Sequence, residues 1–255
     1  MTDSRVQIRY AGDVAELVLS SPGRSNALDL DTAEQLRSAT AEVAVGSGLR
    51  AVLLRAEGKN FCVGGDLRSF AAHGDDLGGY VKAVADAAHA ARENLHRLPV
   101  PVICAVQGAV AGAGVGLALA GDIILVARST RIRLAYTAVG LSPDNGASWT
   151  LPRLLGPRRA LELALTNRVV SAEDAVAWGL ASEVVEDTGL VDRAREVARD
   201  LGTVPLAALI ATKRLFLESA AGRTLSAQLA RESEMISSLA GSPQARDAIE
   251  RFLHR

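Results

Sequence analysis

The chain has 255 residues, 49% of them hydrophobic and 22% charged, enough to bury a full core in one domain with an appendage. Its 28 basic and 29 acidic residues leave a formal charge of -1. That excludes a global field drawing in nucleic acid or an anionic membrane, so any bound anion must meet a local patch.

The first ten residues contain no hydrophobic signal segment, and the two cysteines are Cys62 and Cys104. Together they predict a reducing, cytoplasmic location in which both thiols serve packing. Four histidines, His73, His89, His96 and His254, lack metal-ligand spacing with Cys, Asp or Glu, and no metal is expected.

In chain order, residues 6–10 and 14–19 alternate as paired strands, with Ala11, Gly12 and Asp13 as the turn. Asp29 or Asp31 then caps a helix to about residue 45, and residues 51–55 read as a short buried strand. Further on, Val81, Val84, Ala85, Ala88 and Leu95 give a helix one apolar face, with His89 beside it.

Residues 98–121 are 24 positions without a charge, long enough to raise the question of a membrane span. Pro99, Pro101, Gln107 and five glycines argue against it. The segment reads instead as a strand at 102–106, a glycine-rich turn, a buried helix at 114–120 and a strand at 123–127. From Ser171 the pattern is mainly helical, with Ser171 and Asp174 spaced as a capping box and Ser242-Pro243 opening a later helix. The expected organisation is an α/β core over residues 1–195 integrated with a helical C-terminal region over 196–255.

Two glycine turns carry the functional signal. Phe61-Cys62-Val63-Gly64-Gly65-Asp66-Leu67 and Gly112-Ala113-Gly114-Val115-Gly116 each follow a predicted strand and open a helix, where unpaired NH groups converge. Facing one pocket, they could donate two hydrogen bonds to a carbonyl oxygen as it becomes an oxyanion, each donor worth roughly 3 to 4 kcal/mol in the transition state. The alternative is close backbone packing, for which glycine also serves. A dinucleotide fingerprint fails because its third glycine would fall on Leu117, and Gly58-Lys59 lacks the phosphate-loop frame.

Over nearly its whole length the chain resembles the crotonase, or enoyl-CoA hydratase/isomerase, family. The resemblance rests on Ser25-Asn26-Ala27-Leu28, residues 61–67, 101–122 and 140–146, Leu151-Pro152-Arg153-Leu154-Leu155-Gly156 and Ala175-Val176-Ala177-Trp178-Gly179-Leu180. It implies an α/β spiral of strand-strand-helix units with a C-terminal helical trimerisation region, assembled as a homotrimer or hexamer. It also implies coenzyme A thioester substrates, as in fatty acid metabolism, and no cofactor beyond the CoA that the substrate carries.

By motif position the oxyanion NH groups would be those of Gly65 and Ala113. Substrate would meet Leu28, Val63, Asp66, Leu67, Arg68 and Tyr136, with Arg24 and Ala27 beside the CoA nucleotide and Lys213 reaching phosphate from a late helix. Ordinary solvated charge is the competing reading of Arg24 and Lys213.

Hydratases of the family add water with two glutamates, and here those positions hold Gly116 and Tyr136. Asp144, in a Pro-Asp-Asn-Gly turn, is the preferred catalytic residue, with a helix or turn cap as the alternative. One carboxylate with an oxyanion hole suits allylic isomerisation: a proton leaves the α carbon, the enolate is held, and a proton returns at the γ carbon. Isomerases of phenylacetate degradation resemble the chain around 101–122 and 140–153. Asp144 and His89 also match catalytic positions of 4-chlorobenzoyl-CoA dehalogenases. A non-catalytic acyl-CoA binder is the third alternative.

Overall fold

The computed structural model describes residues 4–254, so residues 1–3 of the N-terminal reading lie outside it. A hairpin opens the chain, β1 (Val6–Ala11) pairing antiparallel with β2 (Val14–Leu19) across Gly12 and Asp13. Then come α1 (Leu30–Val45), β3 (Ala51–Ala56), α2 (Leu67–Ala71), α3 (Leu77–Arg97), β4 (Val102–Val106), β5 (Ala109–Ala111), α4 (Ala113–Ala118), β6 (Ile123–Ala127) and β7 (Arg131–Arg133). The chain continues through α5 (Ala147–Leu155), α6 (Pro157–Thr166), β8 (Val170–Ser171), α7 (Ala172–Ala177), β9 (Glu183–Val185) and α8 (Leu190–Gly202). It finishes with α9 (Leu206–Ala220), α10 (Leu225–Ala240) and α11 (Pro243–Leu253).

The caps follow their sequence signals. Asp29 accepts from the Thr32 NH at the start of α1, Ser171 from the Asp174 NH at α7, and Ser242 from the Ala245 NH at α11, where Pro243 holds the first helical position. Each satisfies an NH that helix geometry leaves without a partner.

A six-stranded sheet runs β1-β2-β3-β4-β6-β9, parallel beyond the hairpin. Its central strands are buried on both faces, as parallel sheets require. Alternate residues split between two cores: Leu17, Val52, Leu54 and Cys104 meet α1 and α3, whereas Leu53, Ile103, Ala105 and Leu125 meet Leu190, Ala194 and Ala198 of α8.

Coverage by α8 also buries Glu16, 3% exposed, which the Arg55 and Arg195 side chains neutralise at 2.8 and 2.7 Å. Burial alone would raise its pKa, but Arg195 and Arg55 together hold it below the ordinary carboxylate range. The expected boundary at residue 195 falls within α8.

A second sheet, β5-β7-β8, consists of two- and three-residue strands. It lies beside the first glycine turn through a bridge between Cys62 and Val110, while a bridge between Leu28 and Gly65 ties that turn to the approach to α1. Among the described residues, no helix is long and apolar enough to cross a membrane.

Candidate active site

The two glycine turns meet backbone to backbone. Gly64 adopts φ +86, and a Cβ there would stand 2.8 Å from the Ala111 carbonyl oxygen and 3.2 Å from the Ala113 nitrogen. Only glycine lets residues 64 and 111–113 approach this closely without strain. The Ala111 NH completes the join by donating to the Cys62 carbonyl at 3.0 Å.

The bridge to Leu28 uses the Gly64 carbonyl (2.8 Å) and the Asp66 NH (2.9 Å), bypassing the Gly65 NH between them. Ala113 is the first residue of α4, ahead of its internal hydrogen bonds. Among the described residues neither NH has a partner, and both residues line one cavity of about 300 Å³. Two unpaired donors at an apolar wall can hold an oxygen that gains negative charge.

Val81, Val84, Ala85 and Ala88 of α3 form much of the apolar wall, with Leu28, Val63, Leu67, Phe70, Val139 and Leu141 around it. Asp144 is the one carboxylate among the lining residues. It follows β7 in the approach to α5, and the Tyr136 hydroxyl donates to its Oδ1 at 2.6 Å. Burial raises the Tyr136 pKa, and the neighbouring Asp144 charge raises it further, so the phenol stays a donor. Burial pushes the Cys62 thiol up to about 12, leaving it no thiolate to use as a nucleophile near neutral pH.

Of the side chains singled out from the sequence, Leu28, Val63, Leu67, Tyr136 and Asp144 line the cavity together with Gly65 and Ala113. Ala27 is buried behind Leu28 in sequence, its NH bonded to the Arg24 carbonyl. Asp66 caps α2 through the Arg68 and Ser69 NH groups and pairs with Arg24, which also binds Asp29 at 2.7 Å. Arg24 and Asp66 thus join the 20s loop to the glycine turn, and Arg68 is exposed on α2.

Lys213 does not line the cavity; its Nζ sits 2.7 Å from Asp122 and donates to the Val100 carbonyl at 3.0 Å. His89 also lies outside it. Its Nε2 accepts the Asn145 NH at 3.0 Å, and the ring borders a separate space with Arg92, Glu93, His96, Gly146 and Trp149.

Known proteins agree with this architecture. A family profile described as enoyl-CoA hydratase/isomerase matches residues 9–255. The chain belongs to the enoyl-CoA hydratase/isomerase family.

One relative is a 1,2-epoxyphenylacetyl-CoA isomerase of Escherichia coli, 38% identical over 244 residues that cover 94% of this chain and 92% of the relative. A 4-chlorobenzoyl coenzyme A dehalogenase of Arthrobacter is 30% identical, covering 80% and 74% of the two chains. Among solved structures, an enoyl-CoA hydratase from Polaromonas superposes with a TM-score of 0.91 at 31% identity, covering 98% of this chain and 96% of that one.

Within this enoyl-CoA hydratase/isomerase family member, the two positions where resemblance implies hydratase glutamates have other duties. Gly116 leaves no space for a side chain, because a Cβ would lie 2.0 Å from the Asn145 carbonyl oxygen. Tyr136 holds Asp144. Phe70 and Ser142 also line the cavity, and Asn145 lies beside it, against the Ala113 carbonyl. Phe70 packs where a Cβ on Gly65 would fall, 2.5 Å from its ring, a proximity that no local pattern announces.

Proposed function

We propose that this acyl-CoA enzyme moves a carbon-carbon double bond along its substrate. Gly65 and Ala113 NH groups hold the thioester oxygen while Asp144 removes the α proton of a 3-enoyl thioester. The electrons delocalise into a dienolate, and the same carboxyl returns a proton at the γ carbon, giving the 2-enoyl thioester. The observation that carries this reading is the single carboxylate lining the cavity that also contains both unpaired NH groups.

Proton transfer back and forth needs one base, whereas addition of water needs acid and base groups on either side of it. Tyr136 suits the first task, since its hydroxyl orients Asp144 by donating to Oδ1 at 2.6 Å. The similarity to a relative named as an isomerase supports the same choice. A dehalogenase-like route needs a histidine to activate water beside the ring, and His89 already spends its Nε2 on the Asn145 NH outside the cavity.

Exposed apolar side chains on α9 to α11, among them Phe216, Ile236, Ile249 and Phe252, support self-association as a trimer or hexamer. Two buried free cysteines suit a reducing cytoplasm.

The test is a panel of 2-enoyl-, 3-enoyl- and halobenzoyl-CoA esters followed by mass spectrometry in D₂O, for wild type and Asp144→Asn. Double-bond migration without added mass beyond deuterium, reduced at least about 10³-fold in the variant with binding retained, is expected. Water addition at a comparable rate would refute isomerisation; halide replaced by hydroxyl would establish the dehalogenase route, and binding without turnover the binder.

A further inference from the structure

Asn145 touches both halves of the site. It is 1% exposed and adopts a left-handed conformation, φ +47. Its Nδ2 donates to the Ala113 carbonyl at 2.8 Å, while its own NH donates to His89 Nε2 at 3.0 Å. The peptide joining Asp144 to Asn145 is therefore held through its NH, while the Tyr136 hydroxyl, whose one proton goes to Asp144 Oδ1 at 2.6 Å, stands 3.4 Å from its carbonyl oxygen.

The amide orientation of Asn145 is fixed by these neighbours. Exchanging Nδ2 and Oδ1 would set two oxygens 2.8 Å apart at Ala113. In the orientation present, Oδ1 is buried without a hydrogen-bond partner, an arrangement costly to stability. What the side chain contributes is direction: it ties the turn bearing the carboxylate to Ala113, whose carbonyl lies one peptide beyond its unpaired NH.

His89 completes the tie from α3. An imidazole nitrogen that accepts an NH must be unprotonated, so the ring proton resides on Nδ1. The charged and titratable neighbours on α3 are Asp86, which pairs with Lys82, and Arg92, Glu93 and His96; across the small cavity are Asn145, Gly146 and Trp149, with Asp144 beyond the turn. Arg92 is itself committed to the Gly116 and Leu119 carbonyls at 3.2 and 3.1 Å. Protonation of His89 at Nε2 would turn acceptor into donor and set it against the Asn145 NH.

We propose that His89 and Asn145 are positioning residues, which through the 144–145 peptide and the Ala113 carbonyl hold the Asp144 base at a fixed spacing from the Ala113 oxyanion donor. His89 thus acts from outside the substrate cavity and only in its neutral form. The inference rests on the isomerase reading for its consequence in turnover, but the hydrogen bonds themselves are testable without substrate.

The experiment compares wild type, His89→Ala, His89→Gln and Asn145→Ala in two measurements: pH profiles of kcat and KM for 3-enoyl-CoA isomerisation, and hydrogen exchange of the residue-145 amide in ligand-free protein. Misplacement of a reacting group by about 1 Å can cost about 10²-fold. His89→Ala and Asn145→Ala are expected to lower kcat about 10- to 100-fold with KM changed less than about threefold. Exchange at residue 145 should accelerate in His89→Ala. His89→Gln offers Oε1 to the same NH, so it should recover most of the lost kcat and slow exchange again. It should also change the acidic side of the kcat profile, because a glutamine has no ring nitrogen to protonate.

Wild-type kcat and pH profile in His89→Ala, with Asp144→Asn inactive, would overturn the positioning role and leave the isomerase reading standing. An active Asp144→Asn would instead defeat the isomerase reading. The exchange data then decide alone, and equal residue-145 exchange in wild type and His89→Ala would overturn the tie. Should His89→Ala not fold, an unaltered acidic limb in His89→Gln would do the same.

Discussion

Replacing Gly116 with alanine adds one methyl group at the position where the family's hydratases carry a glutamate, and the structure gives it nowhere to go. The new Cβ would lie 2.0 Å from the Asn145 carbonyl oxygen, 2.8 Å from its carbonyl carbon and 3.0 Å from its Cβ. Relief to an ordinary contact of 3.4 Å takes about 1.4 Å of movement shared between α4 and the 144–145 turn, because the obstacle is backbone rather than the tip of a side chain.

In an open helix the substitution would stabilise by about 1 kcal/mol through propensity. Overpacking of about 1 to 3 kcal/mol opposes it, so the net sign is destabilising. A chain of this size loses about 2 to 4 °C in Tm per kcal/mol. Under the proposed mechanism, displacement of Asp144 by about 1 Å would lower kcat about 10²-fold with KM nearly unchanged.

Thermal melts and steady-state isomerisation of Gly116→Ala check both numbers, and Gly116→Glu extends them. The glutamate variant is expected to lose the proposed isomerisation without gaining hydration, since its side chain cannot enter without displacing Asp144. Wild-type kcat and Tm in Gly116→Ala, or water addition by Gly116→Glu, would refute the steric reasoning.

Tyr136→Phe removes the 2.6 Å donor to Asp144 while keeping the ring that fills the wall. The carboxylate loses the hydrogen bond that orients it, so kcat should fall by about tenfold with KM nearly unchanged. An unchanged kcat would remove Tyr136 from the proposed mechanism. Asp29 offers a stability readout away from the chemistry: burial pushes its carboxyl up, but the Thr32 NH and hydroxyl and Arg5 outweigh burial and hold it at about 2, against an ordinary 3.8. Its depressed pKa stabilises the fold above pH ~4, and that contribution, on the order of 2 kcal/mol, is lost as pH falls from ~4 to ~2. Melts of wild type and Asp29→Asn should differ at pH 6 and converge near pH 2; a gap that persists at pH 2 would assign the difference to packing.

Much of the fold was legible because local signals and global packing agree. The Asp29, Ser171 and Ser242 caps and the 6–19 hairpin are short-range features, and the apolar series on α3 marked a core-facing surface that also became the cavity wall. Strands β5, β7, β8 and β9 were not read from sequence, since two or three residues cannot display a period. The predicted buried helix at 114–120 is in fact Ala113–Ala118, a shift at both ends of the kind that glycine-rich turns invite.

Within the site, the glycines were visible but their partners were not. Gly64 meets Ala111, and Gly116 meets Asn145, across separations over which sequence carries no distance. His89 shows the same gap: periodicity put it beside the apolar face of α3, whereas one position along a helix turns a side chain by about 100°, enough to face it into the neighbouring space. Lys213 was read by its charge, and the partner that occupies that charge, Asp122, is remote in sequence.

Gly116 and Tyr136 are better understood together than as two missing glutamates. A glutamate at 116 and the 144–145 turn in its present place are sterically exclusive, because the Asn145 carbonyl fills the volume that any Cβ would need. With that turn in place, Asp144 enters the cavity and Tyr136 is close enough to donate to it. One substitution makes room for the carboxylate and the other orients it. A site that only bound thioesters would have no electrostatic reason to hold a carboxylate against an apolar wall, where ionisation is costly unless hydrogen bonds offset it. The Tyr136 hydroxyl supplies one such bond, to Oδ1, which is the arrangement that the proposed one-base chemistry needs.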